Sequence, residues 1–570
     1  MDLRHVIIAA VCLGAAGANA APAFEATIPE DLDVPTSDGR LVVILATDDA
    51  EEPRAQVSWR FDAPQIVGAQ VEAFGPGGRA TVPADALGFP AENLADVPAG
   101  DYVVQASFDR YDDFAIDGGE AVSLPASWAA GRNWRREPGN LFSTPMKISF
   151  DPTSDETVRL TLDGVNPPVE KPADTDYVKH IEIESERLSK FWGRPMTLGA
   201  HVLLPHGFSE NPQARYPLII FHGHFPADFD GFRTTPPDDD LECEFSDRFQ
   251  DPCFNRVQKE EAYAFYQKWS SDDFPHVIIV EIQHANPYYD DSYAVNSANL
   301  GPYGDAITHD LVPHIEETFR GLGAPWARFL YGGSTGGWEA MAAQILYPDD
   351  YNGAYVACPD PIDFRAYGVV DLYKDENAYY RRGSFSRLAR PGHRDYLGHV
   401  SATIEMMNRY ELVLGTKGRS GQQYDIWEAV YSPRGPDGYP RRIWDKRTGE
   451  IDPETAAHWR ENYDLVHILR RDWKTLGPKL RGKINIYTGD MDNYYLNNAV
   501  YLAEDFLKTA EPAFDGEIDY GDRAEHCWNG DHDNPNHVSR LRYNTFYLPK
   551  ILKRIEQSAP DDADLTSWRH

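Results

Sequence analysis

One stretch restricts the fold more than any other. "RFLYGGSTGGWEAMAAQ" (residues 328–344) joins an apolar run, four glycines around a serine, and a run with helix-forming composition. Gly332-Gly333-Ser334-Thr335-Gly336 fits G-x-S-x-G, the pattern of a strained strand-to-helix turn that leaves a serine hydroxyl exposed. Glycines beside the serine remove the Cβ atoms that would clash in so sharp a turn. A Gly/Ser-rich surface turn has the same composition, so the surrounding chain decides between the two. "RFLYG" before the serine reads as a strand and "GGWEAMAAQIL" after it as a helix, which is the context the motif requires.

The same texture extends along most of the chain. "PLIIFHG" and "HVIIVEI" are short continuous apolar runs suited to strands buried on both faces, and "GDAITHDLVPHIEETFRGL" carries apolar residues at helical spacing. Strands alternating with helices imply an α/β domain with a mostly parallel, doubly wound sheet, over residues 177–362 and 481–570. Residues 363–480 interrupt that rhythm with helices, loops, arginines and aromatics, and read as a cap or lid inserted between core strands. Residues 21–165 alternate in short runs such as "RLVVILAT" and "GDYVVQASF", the pattern of an all-β, sandwich-like domain. The proline-rich, charged residues 166–176 suit a linker.

The first residues, "MDLRHVIIAAVCLGAAGANA", have a charged start, a short apolar run and a small-x-small site, so residues 1–20 are expected to be a secretory signal peptide. That run is too short for a membrane span, and no later segment is long and apolar enough, so the protein is expected to be exported, periplasmic or extracellular. Oligomeric state is left open. An oxidising compartment makes disulfides plausible. Cys243 and Cys253 share one loop-like segment and are the favoured pair. Cys358 and Cys527 are either a second bridge or two buried thiols. A net charge of -36 argues against a nucleic-acid partner, whose phosphates it would repel.

A serine hydroxyl needs a base to take its proton and an acid to orient the base. On such a sheet the chain order is serine, acid, histidine. Downstream of Ser334, "KINIYTGDMDNYYL" ends a strand in two competing carboxylates, Asp490 and Asp492. Asp492 is preferred because an acid a few residues past the strand end can turn back toward a histidine. "YGDRAEHCWNGDHDNPNHV" offers His526, His532 and His537. His526 comes first after the last strand and is preferred as the base. Asp531, His532, Asp533 and His537 could ligate a metal but match no fixed pattern, and no cofactor is expected. Backbone donors for an oxyanion are expected from Thr335 and from Gly223 or His224 after "PLIIFHG". Trp338, Trp528, Tyr288 and Tyr289 are candidate substrate contacts. Arg381, Arg382, Arg387, Arg390 and Arg394 either meet an anionic substrate or pair with the abundant acids.

Taken together, the "HG" after a strand, "GDAITHDLVPHIE", "GGSTGGWEAMAAQILYPDDYNG" and the H-x-W of His526-Cys527-Trp528 resemble the putative-esterase family, which includes esterase D, feruloyl esterases and enterochelin-type esterases. The resemblance runs from about residue 178 to the C-terminus, apart from residues 363–480. It implies an α/β-hydrolase fold and a serine carboxylester hydrolase acting on a small-molecule, glycan or aryl ester. Ser334 would be the nucleophile, Asp492 the G-x-x-D acid and His526 the H-x-W base. "STGG…YPDDYNG" and "HCWNG" are also similar to tannases, where cysteines beside the serine and the histidine pair with each other; here Gly333 stands at the serine-side position. The same triad would serve a serine peptidase or amidase, and a hydrolase fold that only binds is the alternative of another class.

Overall fold

A computed structural model describes residues 22–119, 121–224, 229–245, 252–533 and 540–570. The expected signal peptide, and His537, lie outside the described residues.

The largest sheet among the described residues has ten strands, all between residues 23 and 165. Ser37–Ala46 runs through its middle, antiparallel to Gln65–Phe74 and to Gly100–Phe114. Period-two alternation assigns the side chains of that strand to two faces. Leu41, Val43 and Leu45 join an apolar cluster with Phe24, Val82, Phe150 and Leu160, so strands from distant places in the pairing order meet around one core. The alternate residues Val42 and Ile44 face the other way. They pack with Tyr410, Val413 and Leu414 of the helix Ile404–Leu414, so this strand is buried on both faces. The buried Arg40 guanidinium donates to the carbonyls of Val413 (2.7 Å) and Leu412 (3.3 Å), groups that the end of a helix leaves without partners. Residues 167–176 then cross in the open, exposed and without regular structure.

The second sheet has eight strands, in spatial order Val178–Glu184, Thr197–Leu203, Ile278–Gln283, Leu218–His222, Arg328–Gly333, Ala354–Ala357, Ile484–Gly489 and Glu517–Gly521. Thr197–Leu203 pairs antiparallel with both its neighbours, Val178–Glu184 and Ile278–Gln283, and every later pairing is parallel. Parallel sheets need both faces covered, which is why Leu218–His222, Ile278–Gln283 and Ala354–Ala357 are buried at every position. Thr335–Leu346 follows the strand Arg328–Gly333, with an interior almost wholly buried. Residues 363–480 leave the sheet after Ala354–Ala357 and return at Ile484–Gly489. They share the central core through Ile426, Trp444 and Trp459. A disulfide joins Cys243 and Cys253. Among the described residues, no helix is long and apolar enough to cross a membrane.

Candidate active site

The turn after the strand Arg328–Gly333 is as tight as its glycines suggest. Ser334 sits at φ 60°, ψ -122°, a conformation non-glycine residues seldom adopt and one that costs on the order of 1–3 kcal/mol. A Cβ on Gly336 would lie 1.9 Å from the His222 carbonyl oxygen, and one on Gly332 would lie 2.3 Å from the Gly336 carbonyl oxygen. The helix can therefore start against the end of the strand Leu218–His222 only with glycine at both places. The Ser334 amide donates to the Ala357 carbonyl (3.1 Å) and toward Cys358 Sγ (3.2 Å), fixing the turn from the neighbouring strand end.

Two loops bring an imidazole and a carboxylate to this serine. Past Gly489 the chain turns, and the amides of Asp490 and Met491 donate to the carbonyls of Gly521 and Ala524 (3.1 Å each). The His526 amide donates to Asn493 Oδ1 at 3.0 Å. His526 Nε2 lies 2.9 Å from Ser334 Oγ, and its Nδ1 lies 2.7 Å from Asp492 Oδ2. Asp492 is fully buried, and its other oxygen accepts the amides of Tyr494 (2.9 Å) and Leu496 (3.2 Å). Arg394 donates to the Asp492 carbonyl at 3.0 Å. Burial works against charge on the His526 ring, but Cys527 and the Asp492 carboxylate outweigh it and hold the pKa well above the ordinary histidine value. Such a hydroxyl–imidazole–carboxylate chain can move a proton off the serine and stabilise the imidazolium that results.

The competing candidates lie elsewhere. Asp490 Oδ1 caps the Arg523 amide (2.7 Å), and His532 Nε2 pairs with Asp519 (2.9 Å) at an exposed position. Thr335 begins the helix that follows Ser334, and Gly223 and His224 follow the strand that this helix abuts. Although burial disfavours its charge, Asp290 (3.0 Å) and Asp291 (3.2 Å) on Nδ1 hold His224 as an imidazolium well above the usual range. These three side chains and the trio Cys358, His526 and Cys527 have metal-like spacing. The first trio is accounted for as ion pairs. In the second, burial and the neighbouring Cys527 push the Cys358 thiol well above its ordinary pKa. Asp531, His532 and Asp533 form no such group among the described residues.

Beside Ser334 lies a cavity of about 390 Å³. Tyr289 lines it; Tyr288, Trp338 and Trp528 do not, which corrects the expectation for those three. Trp338 is in the core against Tyr293 and Tyr431, Trp528 donates its indole N–H to the Asp531 carbonyl, and Tyr288 is buried near Gly418. The walls come mainly from residues 363–480, including Tyr367, Tyr424 and Trp427, and Trp59 arrives from the ten-stranded sheet's side of the molecule. Among the described residues no arginine lines the cavity: Arg390 pairs with Asp375, and Arg387 lies over Tyr380. Asp360, which the sequence reading passed over, lines it and lies 3.5 Å from Ser334 Oγ. Its position just past the carboxyl end of a parallel strand, where ligands bind in open α/β sheets, was the available signal.

A mostly parallel sheet with a serine on a strand-to-helix elbow and the acid and histidine on later strand ends defines an α/β-hydrolase fold. A family model described as "Putative esterase" matches residues 189–543, more than half of the chain, and the protein belongs to that family. Among solved structures the chain is similar to a ferulic acid esterase at 14% identity, covering 66% of this chain and 98% of that one with a TM-score of 0.34. It is also similar to an S-formylglutathione hydrolase from Agrobacterium tumefaciens (12% identity, 67% and 97% covered, TM-score 0.33) and to Est1E from Butyrivibrio proteoclasticus (12%, 66% and 99%, 0.31). No curated protein matches the chain.

Proposed function

We propose that the protein is an exported serine carboxylester hydrolase with Ser334, His526 and Asp492 as its triad. The observation that carries the reading is the proton path itself: 2.9 Å from Ser334 Oγ to His526 Nε2 and 2.7 Å from Nδ1 to Asp492, with the serine on a strained elbow. Ser334 attacks the acyl carbonyl as His526 takes its proton. The developing oxyanion is met by the Thr335 amide and by an amide of Gly223 or His224. The imidazolium returns the proton to the leaving alcohol, and a water activated by the same ring then releases the acid from the acyl-enzyme. Membership of the esterase family favours an ester over an amide, and the cavity volume suits a small-molecule ester.

The architecture that goes with this reading is a β-unit over residues 21–165, a linker over 166–176, a catalytic unit over 177–362 and 481–570, and a cap over 363–480. Residues 1–20 direct export. A fluorophosphonate probe should label the protein, and Ser334→Ala should abolish labelling and lower ester turnover by several orders of magnitude, as loss of a triad nucleophile does. Chromogenic ester and anilide substrates separate esterase from amidase. A Ser334→Ala protein that cleaves a small ester at the wild-type rate would overturn the assignment.

A further inference from the structure

Asp360 is a second carboxylate beside the nucleophile, and the triad does not use it. It is 3% exposed and lies just after the strand Ala354–Ala357. Its two oxygens are treated very differently. Oδ2 accepts from Tyr293 Oη (2.5 Å), Thr335 Oγ1 (3.1 Å), Gln423 Nε2 (3.2 Å) and Trp427 Nε1 (3.2 Å). Among the described residues, the hydrogen-bond partner of Oδ1 is Ser334 Oγ, at 3.5 Å.

A serine has one proton to give. In the reactive arrangement it is directed at His526 Nε2, 2.9 Å away, so it is not available to Asp360. Oδ1 is then a buried acceptor without a donor, next to the reacting atom and on the cavity wall. A buried acceptor in that state is destabilising until something donates to it. Among the described residues no other side chain of the wall donates to it: no lysine or arginine lines the cavity, His224 Nδ1 faces Asp290 and Asp291, and His526 serves the triad. Among the described lining residues the other carboxylate is Glu411, already engaged by Lys446 and the Tyr424 amide.

We propose that Asp360 Oδ1 accepts a hydrogen bond from a hydroxyl carried by the substrate close to its scissile carbonyl, so that the site selects hydroxylated esters over their deoxy counterparts. This rests on the esterase reading of Ser334. A hydroxyl fits better than an ammonium group. It has one hydrogen to place and Asp360 offers one open oxygen, whereas an ammonium would bring three into an aromatic-walled space, against a carboxylate whose charge four donors already offset. Asp360 is a specificity-determining residue in this account and takes no proton from the substrate.

The test compares kcat/KM within matched sets. For the acyl side these are methyl lactate, methyl propionate and methyl alaninate; for the alcohol side, ethylene glycol monopropionate and ethyl propionate. Acid release is followed at constant pH. In the wild type at least one hydroxylated ester should exceed its deoxy partner tenfold or more, the size of one hydrogen bond to a charged acceptor. Asp360→Ala should bring that ratio close to one, and Asp360→Asn should lower it. A purely structural hub would change rates on all the esters together and leave the ratio alone. If Asp360→Ala does not fold, the wild-type ratios still decide. Hydrolysis without preference in both sets overturns the proposal but leaves the esterase reading standing. A preference for the alaninate ester overturns the hydroxyl assignment. Absence of hydrolysis together with absence of fluorophosphonate labelling overturns the esterase reading, and this proposal with it.

Discussion

Asp492→Asn is the substitution whose effect follows most directly from the geometry. The carboxylate faces two sets of donors: His526 N–H on one oxygen, the amides of Tyr494 and Leu496 on the other. An asparagine has one acceptor oxygen and one NH₂ group. Turning the oxygen to the two backbone amides keeps the loop intact, but then the NH₂ points at His526 Nδ1. The ring answers by carrying its proton on Nε2, the atom that must accept the serine's proton. The variant should therefore fold with little change in thermal unfolding and lose roughly 10⁴-fold in kcat, as a triad acid does elsewhere, or about 5.4 kcal/mol of barrier. The opposite orientation would leave two buried amides facing an NH₂ group and is disfavoured. Asp490→Asn replaces one cap on the Arg523 amide with another acceptor and should cost less than about fivefold, within the range of ordinary surface changes. The assay is hydrolysis of a small chromogenic ester together with the rate of fluorophosphonate labelling. A loss below tenfold for Asp492→Asn with the fold intact, or a larger loss for Asp490→Asn, would refute the reasoning.

The raised pKa of His526 fixes a pH profile: only the neutral ring accepts the serine's proton, so kcat/KM should fall toward acid with a midpoint above 6.5, measured with an uncharged ester. Asp492→Asn removes one cause of the rise, so the residual activity should have its acid limb at lower pH. Trp59→Ala should raise KM for a bulky aryl ester by roughly three- to tenfold more than for an acetate ester, the worth of one aromatic contact, and equal effects on both would remove Trp59 from the substrate's path.

The parts of this site that were legible in the sequence are those fixed by local backbone geometry. Ser334 is announced by glycines because the elbow leaves no room for side chains, and Asp492 and His526 by their places just past strand ends. The cavity was not legible. Trp338 and Trp528 stand near the nucleophile and the histidine in sequence, but a side chain four residues into a buried helix meets the core, and the H-x-W tryptophan bonds back into its own loop. The surfaces that meet the cavity come from Trp59, Asp360, Tyr424 and Trp427, which only the tertiary fold brings together. The arginines of residues 363–480 were legible as a cluster but not as to partner, since carboxylates within the protein and on a ligand attract guanidinium groups alike.

The seat of the helix Ile404–Leu414 on the ten-stranded sheet, with Arg40 holding the helix end and Trp59 reaching the cavity, bears on how such a chain can be divided or inherited. Severing it at the exposed prolines would strand Tyr410, Val413 and Leu414 in water and open one side of the cavity, so the piece that keeps Ser334 should aggregate rather than act as a leaner enzyme. The front part, residues 21–165, is thus not a detachable module that gene fusion could add or exchange freely. Substitutions at Val42 and Ile44 press on the helix Ile404–Leu414, whose Ile404, Met407 and Tyr410 line the cavity, so these two parts of the chain are coupled.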